Sequence, residues 1–269
     1  MPEKVSVIVT VYDRNELIDR CMESITGQTL SDIEILCISS LEKKNKKCID
    51  DWCTRDSRVR QIDTSLYMTA AEALNAAIDI AGGEYIAFID TDDYYYEKNA
   101  LELLADACAK NNTDIAGAGI VEVNMFNADV RTQFDGIYSG YVFEKDGVTE
   151  YREYACDYGY KRFLYRRQFL VDNNILFPPF EYMYDNVFIV RAMVAAGRFA
   201  SVSRVLYAQM APRPVVWTDR VANDILRALC MNLRSAAECD IEGLKTLTIN
   251  RILREYVFCL LYTSPSPRD

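Results

Sequence analysis

The chain has 269 residues, half of them hydrophobic and 26% charged, enough to bury one large core and typical of a soluble globular protein. A formal net charge of −10 argues against a nucleic-acid partner, which wants a basic surface. The absence of histidine removes Ser-His-Asp and Cys-His catalysis and the commonest transition-metal ligand, leaving carboxylates as bases and hard, oxygen-ligated Mg or Mn as metals.

The nine cysteines show no paired spacing apart from Cys48 and Cys53, the pattern of reduced thiols. No apolar run reaches the roughly 18 residues that span a bilayer, and the N-terminus lacks the form of a signal peptide, so the expected location is the cytoplasm.

Val5 to Val11 is an apolar, β-branched run, expected as the first and central strand of a mainly parallel sheet. From Asn15 to Thr26, Leu17, Ile18, Cys21 and Ile25 recur at helical spacing, and Gly27 is a natural stop. Ile33 to Ile38 reads as the second strand, which predicts a right-handed crossover. Lys43, Lys44, Lys46 and Lys47 read as a solvated helix face more readily than as a phosphate clamp, because nearby acids offset them. Val59 to Ile62 is a short third strand, and Ala70 to Ala81 an Ala-rich helix.

Next, Gly82 to Tyr96 joins a Gly-Gly turn to an apolar strand, Tyr85 to Ile89, that ends on Asp90, Asp92 and Asp93. Leu101, Leu104, Ala105 and Cys108 mark another amphipathic helix, and Ile115 to Val123 a strand. From about Asn124 the texture turns aromatic and irregular, a hairpin or mobile loop. Tyrosines crowd with Arg and Lys between Tyr151 and Arg167, where a carbohydrate platform and ordinary packing stand as equal readings.

Asp185 opens an apolar helix, and Ala200 to Tyr207 returns to the sheet. Asp219 to Phe258 reads as two helical segments with a break near Asp240. The final CLLYTSPSPRD resembles translated sequencing-adapter sequence and is set aside from fold reasoning.

In open α/β sheets, ligands gather beyond the carboxyl ends of strands, where Asp90, Asp92 and Asp93 are expected. Carboxylates so close repel one another unless a cation neutralises them. A divalent ion there would bridge one or two of them to substrate phosphates and stabilise a departing diphosphate. The competing reading is an acidic turn that caps the helix near Glu97.

Three collinear stretches, VSVIVTVYDRNELIDRCMESITGQTLSDIEIL, ALNAAIDIAGGEYIAFIDTDDYYY and YDNVFIVRAMVAAG, resemble the family 2 glycosyltransferases of the GT-A fold, from about Lys4 to Tyr207. The resemblance implies an α/β architecture with a Rossmann-like, mainly parallel sheet flanked by helices over residues 1–215. Its nucleotide-binding half runs to about 123 and its acceptor half over 124–215; the helical spacing adds an extension over 216–258, and the adapter-like sequence marks 259–269 as a non-native tail. It further implies that Thr10, Val11 and Tyr12 line the nucleoside pocket, with Ser39, Asn75, Asp90 and Thr91 completing the nucleotide-sugar site. Asp90 and Asp92 match the family's Asp-x-Asp and Asp93 the adjacent acid, the expected ligands of Mg or Mn, and Asp185 matches the general base.

The implied activity is inverting transfer from a nucleotide-diphosphate donor, a UDP-sugar above all, to a saccharide or lipid-linked acceptor. A bacterial surface polysaccharide pathway is the implied setting, with peripheral attachment at the inner face of the plasma membrane. Three departures stand out: Ser39, Ser40, Leu41 and Glu42 replace Asp-Asp-Gly-Ser, Leu74 replaces the Arg of Ala-Arg-Asn, and Tyr184 replaces the Glu of Glu-Asp. They leave open a second class, a degenerate member that binds without transferring. A haloacid-dehalogenase-like phosphatase would want Thr or Val where Tyr94 stands, and a Rossmann dehydrogenase the Gly-x-Gly-x-x-Gly that is missing.

Overall fold

Every residue of β1 (Val5–Val11) is buried, as befits a β-branched run covered on both faces. The computed structural model describes residues 4–11, 15–39, 43–62, 69–124, 129–134, 136–211 and 215–256, with backbone alone at 15, 16, 39, 43–46, 136 and 137. Helix α1 (Asn15–Thr26) leads to β2 (Ile33–Ser39), α2 (Lys43–Arg55) to β3 (Val59–Ile62), and α3 (Ala70–Ile80) to β4 (Tyr85–Asp90). β1 pairs in parallel with β2 and β4, and β2 with β3, so the first half is the expected parallel sheet.

Glu34, a carboxylate inside β2 with 5% exposure, holds this half together. It accepts from Ser6 Oγ on β1, from the Gly82 N–H before β4 and from Arg60 Nη2 on β3, each at 2.5 Å. Gly83 is required beside it, since a Cβ there would lie 2.5 Å from the Ser6 nitrogen.

The second half departs from the parallel expectation. After β5 (Tyr94–Tyr95), α4 (Ala100–Asn111) and β6 (Ile115–Val123) comes β7 (Val130–Arg131), which folds back on β6 as a short hairpin. β8 (Gly147–Glu150) and α5 (Tyr151–Tyr154) lead to a 3-10 turn over Tyr160–Arg162 and to β9 (Phe163–Arg166). β9 lies antiparallel to both β4 and β6, inserted between them. Its four residues fall in the aromatic crowd and show no clear alternation, so the sequence reading missed it. Gly117 on β6 makes room for Phe163, since a Cβ there would come within 2.1 Å of that ring.

Beyond β9 run α6 (Arg167–Asp172), α7 (Tyr184–Ala196) and β10 (Arg198–Met210), which is parallel to β6. Among the described residues the sheet has ten strands, in the order β3-β2-β1-β4-β9-β6-β10-β5 with β7 on β6 and β8 on β10: a parallel half joined through one antiparallel strand to a mixed half.

Packing accounts for most of the aromatic crowd. Tyr151, Tyr158, Tyr160 and Tyr165 are buried, and Arg162, 1% exposed, is ringed by Tyr141, Phe143, Tyr154 and Phe163 at 4.6 to 5.8 Å. The C-terminal α8 (Asp219–Glu238) and α9 (Glu242–Arg251) break at Asp240, as read from the sequence. Ile225, Ala228 and Leu229 of α8 pack on Phe180, Met183 and Val187 at the start of α7. Among the described residues no helix is long and apolar enough to cross a membrane, and the tail at 259–269 lies outside them.

Candidate active site

The carboxyl end of β4, the 3-10 turn, the N-terminus of α7 and the C-terminal helices enclose a cleft of about 850 Å³. Asp90, Lys161 and Asp185 all line it. The acidic turn after β4 is clamped from below: the Thr91 N–H donates to the Thr10 carbonyl at 3.1 Å, and the Asp93 N–H to the Asp90 carbonyl at 3.0 Å. Arg20 of α1 lies over the Tyr94 ring at 4.4 Å and donates to the Asp92 carbonyl at 2.7 Å.

The three carboxylates are not equivalent. Asp93, 1% exposed, accepts from Tyr207 Oη at 2.7 Å, from the Met210 N–H at 2.8 Å and from Lys161 Nζ at 2.5 Å. Both its oxygens are therefore committed to β10 and the lysine. Asp90 Oδ2 accepts from the same Nζ at 2.6 Å, whereas Asp90 Oδ1 is buried without a hydrogen-bond partner. Burial pushes the Asp90 carboxyl up to about 6, with Lys161 opposing the rise and Asp93 and Asp92 adding to it. Burial works against the Lys161 ammonium, but the charges of Asp90 and Asp93 outweigh it and hold its pKa well above the usual lysine value.

An oxygen-ligated cation fits this arrangement in part. The carboxylates of Asp90, Asp92 and Asp93 offer oxygens within 4.8 Å of one another. A buried, unpartnered oxygen such as Asp90 Oδ1 is costly unless something satisfies it, and half-buried Asp92 stands in the same cluster. Those two would hold the ion; Asp93 would bind it only in competition with its bonds to Lys161 and β10.

Across the cleft, Asp185 sits in the first turn of α7, beside the backbone N–H groups of residues 185 and 186, which favour its charged form. Burial raises its pKa, and Lys161 and the two amides work against the rise. A polar relay behind it fixes the helix start. Asn186 Nδ2 donates to the Asp157 carbonyl at 2.7 Å, and the Asp157 carboxylate takes a bidentate pair from Arg251 at 2.8 and 2.7 Å. Arg251 also holds Glu255 at 2.9 Å.

The remaining expected residues divide. Thr10 and Val11 end β1 in register with Asp90 and Ser39, and both are buried. Tyr12 lies outside the described residues, as do residues 40–42, and the Ser39 side chain is not described. Thr91, 1% exposed, stays with the acidic turn. Asn75 lies elsewhere: its Nδ2 donates to the Phe177 carbonyl and its Oδ1 accepts the Phe177 N–H, both at 2.9 Å, which clips the segment before α7 onto α3. Leu74, fully buried, stands where the family's cation is expected, and Tyr184 lines the cleft beside Asp185.

The sequence reading missed Lys161, Tyr182, Trp217, Arg251 and Tyr256, which come from four separated segments to line the cleft. The one local signal was Gly159, whose left-handed φ of 71° precedes the turn that aims Lys161 and Arg162 apart.

Comparison with known proteins sets this site in context. The family described as Glycosyl transferase family 2 matches residues 6–176. An uncharacterized glycosyltransferase of Bacillus subtilis (strain 168), EpsJ, is 30% identical over 210 residues, covering 76% of this chain and 60% of that protein. WfaP of Escherichia coli, a UDP-Glc:alpha-D-GlcNAc-diphosphoundecaprenol beta-1,3-glucosyltransferase, is 38% identical over 94 residues, 35% of this chain and 37% of that protein. This chain thus spans at most about 60% of the length of either. The crystal structure of S. aureus TarS 1-349 in complex with UDP is similar with a TM-score of 0.72 at 18% identity, covering 98% of this chain and 76% of that one, a likeness of fold.

Proposed function

The chain belongs to glycosyl transferase family 2 and has the GT-A fold; from that premise we propose that it moves a sugar, with inversion, from a UDP-sugar to a saccharide or lipid-linked saccharide in bacterial surface polysaccharide synthesis. The observation that carries the reading is the pair of carboxylates, Asp90 at a strand end and Asp185 at a helix start, that face one cleft of about 850 Å³. The donor belongs to residues up to about 123, with Thr10 and Val11 beneath the nucleoside and Asp90 and Thr91 toward the diphosphate. Asp90 and Asp92 would hold Mg or Mn, which would supply neutralising charge for the leaving diphosphate.

Asp185 takes the proton from the acceptor hydroxyl as that oxygen attacks the anomeric carbon. The bond from that carbon to the diphosphate breaks on the opposite face, and the proton stays on the carboxyl. A carboxylate with its pKa raised by burial is the better base for this step. Tyr182, Trp217 and Tyr256 supply a wall on which an acceptor ring can stack. The lipid-linked acceptor in the name of WfaP supports work at a membrane surface.

The test is turnover of a panel of UDP-sugars with Mn²⁺, read as released UDP with and without saccharide acceptors. A binding module without transfer is the second reading, favoured by Leu74 in the core and Tyr184 beside Asp185. It is the outcome if UDP and Mn²⁺ bind and no donor turns over.

A further inference from the structure

Lys161 reaches the acidic turn from the acceptor side of the cleft, with its Nζ at 2.6 Å from Asp90 Oδ2 and 2.5 Å from Asp93 Oδ2 and only 14% of its side chain exposed. Its base is rigid. Arg162, the next residue, donates to the Ala118 and Gly140 carbonyls at 2.8 Å each and is enclosed by aromatic rings, so the turn that carries Lys161 is pinned to β6. Such a lysine cannot move aside without leaving two buried acids uncompensated. Three carboxylates and one ammonium leave the cluster with two negative charges, and the ammonium sits between Asp90 and Asp93.

We propose that Lys161 is a resident cation of the donor site: it claims Asp93 and one oxygen of Asp90, confines a divalent ion to Asp90 Oδ1 and Asp92, and makes that ion depend on a nucleotide diphosphate for firm binding. The proposal rests on the transferase reading for the nucleotide, though not for the ion. Two carboxylates beside a fixed ammonium form a weak site by themselves, and ions of the magnesium class are ordinarily completed by substrate phosphates. Lys161 acts through Asp90 and Asp93, as a positioning residue, and its removal changes the charge that an ion meets even when no donor is present.

Mn²⁺ titrations followed by electron paramagnetic resonance, with and without UDP, test this on the wild type, Lys161→Met and the double variant Lys161→Met/Asp93→Asn. The wild type should bind Mn²⁺ weakly alone and about tenfold or more tighter with UDP. Lys161→Met should bind Mn²⁺ alone about tenfold or more tighter than the wild type, because one positive charge has left the site. The double variant restores the wild-type charge and should return to within about threefold of wild-type affinity.

Equal or weaker binding by Lys161→Met overturns the proposal. Should that single variant not fold, the double carries the test: loss of Mn²⁺ binding there makes Asp93 a ligand and overturns it as well. If none of the proteins binds Mn²⁺, with UDP or without, the metal reading falls together with this one. A donor panel without turnover, alongside the expected order of Mn²⁺ affinities, overturns transfer and leaves the role of Lys161 standing.

Discussion

Asp185 shows how one side chain carries both a cost and a use. Its folded-state pKa is raised by burial, so the folded protein holds that proton more tightly than the unfolded chain does. Its contribution to stability is therefore most favourable at low pH and is lost as pH rises through the folded value, which makes the charge at neutral pH a burden. Asp185→Asn should remove that burden and raise Tm at neutral pH, read by thermal unfolding. The same variant should lose about 10²- to 10⁴-fold in transfer while its affinity for UDP is kept. A fall in Tm together with loss of UDP binding would mean that the carboxylate holds the site together instead of working as a base. Asp93, one residue from Asp92, has the opposite character: with its oxygens spent on Lys161, Tyr207 and the Met210 amide, it joins the acidic turn to β10.

At the scale of elements, two buried carboxylates act as joints. Burial works against the charge of Glu34, yet bonds from Ser6, Gly82 and Arg60 outweigh it and lower its pKa below the ordinary 4.5. The stability from Glu34 is therefore fully present above that value and is lost as pH falls through the lower, folded one. Glu34→Gln should cost about 1–3 kcal/mol in urea unfolding at neutral pH and flatten the acid limb of the stability profile. The second joint is Asp157 with Arg251, whose side chains are 0% and 4% exposed. Arg251→Met leaves a buried carboxylate unpaired behind Asn186 and should cost about 3–5 kcal/mol, whereas Arg251→Met/Asp157→Asn should recover part of it. Full additivity of the two changes would mean that the pair does not interact.

Over the whole molecule, the C-terminal helices complete the cleft instead of trailing from it. They cover Phe180, Met183 and Val187 and brace the start of α7 through Arg251, while the residues flanking them supply Trp217 and Tyr256. A chain cut after residue 215 should therefore aggregate or lose its cooperative thermal transition, and recovery of a sharp transition would make residues 216–256 an appendage. The parallel half was legible from sequence because its signals are local: β-branched runs, helical spacing and a strand that breaks off on acids are each set by neighbours in the chain. So were the Asp-x-Asp and the helix opened by Asp185, recognised through stretches in the right order. The insertion of β9, the capture of Asp93 by Lys161, the clip made by Asn75 and the brace of Arg251 on Asp157 are contacts between residues 68 to 102 positions apart or between strands that no periodicity links. Which carboxylates remain for an ion and which serve the fold was decided there, because the partners that satisfy a buried charge are chosen by proximity in space, and spacing along the chain does not encode them.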